Sequence, residues 1–584
     1  MIKRYYATKD NTITNAYTDS LVITGEDSNM GASDIIEVFT IYGQTQDANG
    51  NYSLEESRIL IEFDIAKIQE DIDAGRLDAN ADFYLRLFNA RHGKTLPKDF
   101  TLEVLQIDGT WEEGTGLDME DYRDKPYGEG STWNQAVATK TKATGRIFMS
   151  GGAGIIDLTA SQTGRAPNGR FFQFDILVPA PSSVVTFTGT ENSIIVNVES
   201  SVADALTSAD LVELINTGAV SGKSVTVVDP DNLRTLQTAI GGNSTPLSNS
   251  GAGDLDFTYL AGGDGEWIDA GGDTTGTAET ADFEIGTEDL VINVTSFVSN
   301  WLANPSSNNG LLIKLPDSAS SATRSYYTKM FFGRGTSNFF KKPTLEARWN
   351  SQIRDNRKSF YNDEPNDLYL YHIVRNSLTD VVGGVRLTIV DADDNVLWET
   401  APLGVATKVD TGIYKETVDF NTSSDTVYDV WTANATEIYR GTIEILRESY
   451  QSTVPVDDLV ISVSNKRKEY STNSVGRFYF YIREKNWSPN IYTVATGIPD
   501  TKVYDNLHYK ITRVVTDEVI FDYDTENDST ILSYDSNGNF FDLDISMLEP
   551  NYVYEIKLAL FNVMTKSYQE LPFKHRFRVV DNEY

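Results

Sequence analysis

The stretch from Trp111 to Trp133 holds the side chains best suited to chemistry. Glu112, Glu113, Asp118, Glu120 and Asp121 crowd one glycine-broken loop that begins TWEEGTGLD. Carboxylates in such a loop can supply several of the roughly six to eight oxygens that a calcium ion takes. They suit equally a solvated acidic rim on a chain with 85 aspartates and glutamates. Calcium at these five residues is the one metal expectation, and no other cofactor is expected. Trp111, Tyr122, Tyr127 and Trp133 are interleaved with the acids. Aromatic faces stack on sugar rings, so these four are the candidate glycan-binding residues. The tryptophans also suit a core, and the tyrosines also suit a subunit contact. No catalytic residue is assigned.

Other chemistries lack their residues. Cysteine is absent, which removes disulfides, thiolate metal sites and thiol nucleophiles. His92, His372, His508 and His575 are scattered and form no HxH or HExxH spacing. Asp391, Asp393 and Asn395 stand at the first, third and fifth places of a calcium loop. Val396 replaces the glycine such a loop requires, and Pro402 falls where a glutamate should close it, so the segment reads as a hairpin turn. The glycine-rich stretches 262–265 and 271–273 have no lysine or helix following at phosphate-binding distance. The chain is expected to be no enzyme.

The net charge is −36. Such a chain repels phosphate backbones and anionic bilayers, so nucleic acid and membrane are not expected partners. The start, MIKRYYATKD, has no apolar core of a signal peptide, and no run of about 18 apolar residues occurs. A protein made and soluble in a cytoplasm is expected.

The element that positions the candidate loop is the segment 57–68, SRILIEFDIAKI. Ile59, Ile61 and Phe63 alternate with Leu60 and Glu62, which predicts a central strand covered on both faces. Ile65, Ile68 and Ile72 then follow a helical spacing, with Gly75 as a stop. Strands are also predicted at 34–42, 83–88 and 101–107. Val294, Phe297, Val298, Trp301 and Leu302 form one stripe of a short helix, with Asn293 or Thr295 to cap it.

In order, these segments are SRILIEFDI, FYLRLF, VLQIDGTWEEGTG, STWNQ, INVTSFVSNWL, GLLIKL and MFFGRGTSNFFKKPTLEARW. Together they resemble the DNRLRE-type domain, a jelly-roll β-sandwich of surface and extracellular proteins. The resemblance covers 1–183 and 266–349. It departs where the family's Ser-Arg-Glu-like turn is replaced by Gly333-Arg334-Gly335. Between these halves, 184–265 reads as a small α+β insertion. It has one helix around TSADLVELIN and a second with Leu233, Leu236 and Ile240 as its stripe, and it resembles insertion domains of contractile-tail sheath proteins. A polar linker at 350–365 precedes two predicted immunoglobulin-like β-sandwiches, 366–450 and 451–584, each with strand signals every 8–12 positions or so. The expected fold class is mainly β.

The segments MIKRYYATKDNTITNAY and DNRKSFYNDEPNDLYLYHIVR resemble virion proteins of large, tailed marine bacteriophages. That resemblance implies a structural protein of the tail, neck, baseplate or particle surface. Its partners would be other virion proteins and further copies of itself, and its location the virion. The alternative expectation is a carbohydrate-binding adhesin or receptor-binding fibre component, with a host surface glycan as ligand.

Overall fold

The structure, a computed structural model, describes all residues except 19–20, 47–49, 94–97, 119–129, 138–141, 149–154, 164–170, 178–183, 189–192, 200–208, 210–211, 214–225, 228–235, 241–255, 260–264, 321–325, 376, 402–403, 447–458, 486–500 and 582–584. The chain is mainly β and divides into two compact units. One is Tyr5–Ala66 with Leu85–Leu345, and the other is Met1–Arg4 with Lys67–Tyr84 and Glu346–Tyr584.

Up to residue 348 the strands are β1 (Ile2–Tyr6), β2 (Lys9–Thr14), β3 (Ile35–Gln46), β4 (Tyr52–Glu62), β5 (Asp82–Leu87), β6 (Phe100–Ile107), β7 (Lys142–Phe148), β8 (Ile155–Thr163), β9 (Phe171–Leu177), β10 (Val184–Thr188), β11 (Ser193–Glu199), β12 (Thr226–Val227), β13 (Leu236–Ile240), β14 (Asp256–Tyr259), β15 (Thr274–Phe283), β16 (Leu290–Asn293), β17 (Leu311–Lys314), β18 (Tyr326–Phe332) and β19 (Thr344–Arg348). A seven-stranded sheet runs β15–β6–β17–β4–β3–β18, with β2 also paired to β4, and a four-stranded sheet runs β1–β19–β5–β16.

The expected central strand is β4. Ile59, Leu60 and Ile61 are all fully buried, because both faces are covered and the strand is flanked by others. After it, α1 (Ile65–Asp73) starts where Asp64 Oδ1 accepts the Ala66 N–H at 3.0 Å. It stops before Gly75, whose φ of +68° suits glycine. The second helix, α2 (Thr295–Ala303), buries Phe297, Val298 and Trp301, and Asn293 Oδ1 accepts the Thr295 N–H at 2.9 Å.

Two expectations about the insertion change. Strands β13–β8–β7 form one sheet and β12–β10–β11–β9–β14 another, so β7 to β9 pair with the inserted strands rather than with the jelly roll. These pairings join residues 142–177 to strands of the expected insertion at 184–265. The second expected helix is instead the strand β13, antiparallel to β8, with Leu236 opposite Ala160 and Ile240 opposite Ile156. Ala209, Val212 and Glu213, in the first expected helix, are helical. The rest of that helix, and Leu233, lie outside the described residues.

In the other unit, two β-sandwiches follow one another. The first sets the sheet of Phe360–Tyr361, Thr436–Leu446, Thr426–Ala433, Val385–Val390 and Val396–Glu399 with that of Asn366–Tyr371, Ile413–Val418 and Thr407–Asp410. Leu368, Leu370, Leu387, Ile389, Tyr414 and Trp431 share its core. Asp391 Oδ1 accepts the N–H groups of Asp393 and Asn395, both at 2.9 Å, so the turn between two strands is the expected hairpin. The second sandwich has a four-stranded and a six-stranded sheet, and Tyr509 stacks on Phe541 with centroids 4.0 Å apart. Within the expected linker, residues 353–355 pair with Tyr534 of the second sandwich, and Asn356–Lys358 form a 3-10 turn. Ile353 O accepts the Tyr534 N–H at 2.9 Å, and Tyr534 O accepts the Asp355 N–H at 3.0 Å.

Candidate functional site

The candidate loop leaves β6 at Ile107, beside the buried face of β4. Trp111 is 2% exposed and Trp133 is 7% exposed. Both lie in one apolar cluster with Ile13, Leu60, Ile107, Ala136, Leu312 and a third tryptophan, Trp267. Trp111 Nε1 donates to Asn309 O at 2.8 Å, and Trp267 Nε1 donates to Thr132 O at 2.9 Å. The Arg58 guanidinium covers the Trp133 ring at 4.9 Å and donates to Gly271 O at 2.9 Å. A ring buried in this way presents no face to a sugar. The glycan assignment of Trp111 and Trp133 is corrected: both indoles pack the loops onto β4. Tyr122 and Tyr127 lie outside the described residues.

The acids are also placed by the fold. Glu113 accepts from Arg334 through Nε at 3.0 Å and Nη2 at 2.7 Å, and its Oε1 accepts the Asp10 N–H at 2.9 Å. That bidentate pair occupies the carboxylate that calcium would need. Glu112 and Asp118 are exposed, and Glu120 and Asp121 lie outside the described residues. Among the described residues, no three acidic or histidine side chains are gathered to hold a metal ion.

Arg334 reaches Glu113 because its neighbours are glycines. A Cβ on Gly333 would stand 3.0 Å from Ser33 O, and one on Gly335 3.0 Å from Asp34 Oδ1. The Arg334 N–H also bonds to the carboxylate of Asp10, a residue 1% exposed. Burial raises the Asp10 carboxyl from 3.8 to about 7, helped by the Glu113 charge and opposed by the Arg334 bond and charge.

Two buried asparagines complete the lock. Asn29 Nδ2 donates to Glu113 O at 2.7 Å and Ser131 O at 2.8 Å, while its Oδ1 accepts from Gly31 at 3.2 Å and Gly116 at 2.9 Å. Asn11 Nδ2 donates to Ser131 O at 2.8 Å, and its Oδ1 accepts the Met30 N–H at 2.9 Å. Gly116 must be glycine, since a Cβ there would sit 1.8 Å from Asn29 O. Sequence reasoning missed Asp10, Asn11, Asn29 and Trp267. The alternating glycines at 114 and 116 were the available signal, because such spacing marks close backbone approach.

A second buried polar cluster lies in the unit with the sandwiches. Arg357 bridges Asp355 at 2.6 Å and Asp429 at 2.5 Å, and Trp431 Nε1 donates to Asp429 Oδ2 at 2.8 Å. Asp355 and Asp429 are almost fully buried, and the cluster fastens residues 355–357 to the first sandwich.

No family model matches the chain, and no curated protein matches it. Solved structures similar to it include the Yersinia pseudotuberculosis adhesin InvE, at 12% identity and a TM-score of 0.13, covering 37% of this chain and 56% of that one. The Escherichia coli adhesin FdeC is similar at 8% identity and a TM-score of 0.13, covering 73% of this chain and 92% of that one. The DIP-gamma Ig1+Ig2 structure is similar at 11% identity and a TM-score of 0.11, covering 38% and 93%. Likeness at this level carries no functional argument, and this chain spans little more than half of the InvE chain.

Proposed function

We propose that this chain is a non-enzymatic structural protein that acts by protein–protein assembly, as a component of a tailed bacteriophage particle. The observation that carries the structural reading is the fate of the candidate loop. Its tryptophans are core, Glu113 is consumed by Arg334, and Asn11 and Asn29 are spent on tying the loops at 29–31, 113–116 and 131 to one another and to β2. Side chains used this way hold a shape. The tandem β-sandwiches supply rigid modules, and the charge of −36 favours solubility before assembly. The particle assignment rests on the likeness of MIKRYYATKDNTITNAY and DNRKSFYNDEPNDLYLYHIVR to virion proteins.

Gradient sedimentation of particles from the producing culture tests the reading. The protein is expected to travel with intact particles and to stay with them through a high-salt wash. Recovery only in the soluble fraction, with tight binding to host polysaccharide, would overturn it in favour of a glycan-binding adhesin.

A further inference from the structure

Lys329 is a lysine at 1% exposure in β18. Its Nζ donates to Asn89 Oδ1 at 2.7 Å, Glu288 O at 2.7 Å and Gly286 O at 2.9 Å. No carboxylate oxygen is among the three. The Phe283 and Phe331 rings each lie 5.0 Å from the ammonium. Asn89 follows β5, and its backbone faces Phe331 across an antiparallel bridge. Lys329, two residues before Phe331, is then the diagonal neighbour of Asn89 on the same face. An amine and a primary carboxamide are thus held in contact, beside two aromatic rings, by β18 and the segment bridged to it after β5.

We propose that Lys329 and Asn89 react with each other to form an intramolecular isopeptide bond between Nζ and Cγ, releasing ammonia. Burial lowers the amine from 10.5 to about 8, so a working share of it is neutral near neutral pH. The two backbone carbonyls retain two of the N–H groups. The third hydrogen, directed at Asn89, is the one that leaves, which turns the lone pair toward the side-chain amide. Nζ adds to Cγ and a C–N bond forms. The tetrahedral carbon collapses as the Cγ–Nδ2 bond breaks, and Nδ2 departs as ammonia with one of the two hydrogens that the neutral amine still carried, the ammonium's first proton having passed to solvent. The carboxylates whose charges reach the amine are Glu288 and Asp289, and Asp289, whose Oδ1 accepts the Asn89 backbone N–H at 2.8 Å, is assigned to carry the transferred proton to Nδ2. One amide replaces another, so no oxidant, reductant or cofactor enters. Proximity supplies the rate and loss of ammonia to solvent makes the step one-way. The product would staple the end strand of the seven-stranded sheet to the segment after β5.

Intact-mass spectrometry of the purified full chain tests this. The expected mass is the sequence mass less one ammonia. Tryptic digestion is expected to give a branched peptide joining residues 87–91 to 325–334, uncleaved after Lys329. The branch is expected to vanish in Lys329→Arg, and Asn89→Asp is expected to lose one water in place of ammonia. The full sequence mass with linear 87–91 peptide would overturn the proposal, and so would a lost ammonia that maps to any other site. The wild-type reading stands whether or not the variants fold.

Discussion

Asn29 shows how much one side chain can hold. It is 7% exposed and bonds to the loops at 31, 113, 116 and 131. Replacing it by alanine strands buried donors and acceptors on three segments, which costs about 2–4 kcal/mol. Denaturant unfolding of Asn29→Ala checks this, and an unchanged midpoint would contradict it. Asp10 adds a pH dependence with a definite sign. Its folded carboxyl titrates near 7 and its unfolded one near 3.8. The native state therefore binds the extra proton between these values. Stability is greatest below the lower one, falls as pH rises through the window, and levels above about 7. The span is on the order of a few kcal/mol. Asp10→Asn keeps an acceptor for the Arg334 N–H and is expected to flatten that part of the stability–pH curve. A slope unchanged in the variant would assign the dependence elsewhere.

At the scale of elements, the clearest strands were legible because burial on both faces leaves a mark that no loop shares. Ile59, Leu60 and Ile61 read as a covered strand and are one. The stripe Phe297, Val298 and Trp301 read as a helix for the same reason. The segment Leu236–Ile240 misled because Leu233, Leu236 and Ile240 match a helical spacing, while Leu236, Thr238 and Ile240 also match a period of two. Pairing with β8, distant in sequence, decided between them. The candidate loop misled differently. Its acids and glycines look exposed, yet Trp267 packs with Trp111 and Trp133 from far along the chain, a contact invisible to local pattern. The turn before β17 gives a test at this scale. Gly310 has φ +87°, and a Cβ there would lie 2.2 Å from Ile61 O, on β4 itself. Gly310→Ala is expected to destabilise by about 2–3 kcal/mol or more, or to prevent folding. A melting temperature equal to the wild type would mean that β4 is not the fixed element it is taken to be.

At the scale of the molecule, the polar composition of 350–365 reads as a linker because strand addition there uses backbone groups, which leave no pattern in side chains. Ile353 and Asp355 pair with Tyr534, and Arg357 enters the first sandwich through Asp429. A fragment starting at 350 is therefore expected to melt several degrees higher than one starting at 366, by calorimetry. Equal melting temperatures would return the segment to linker status. The proposed function makes this chain a fixed part of a particle, and Trp111, Trp133 and Glu113 are each occupied in holding its shape. The most direct test is quantitative mass spectrometry of purified particles, scored against the major capsid protein. A constant ratio across independent preparations is the predicted result. Absence from particles, or a ratio that drifts with washing, would contradict it.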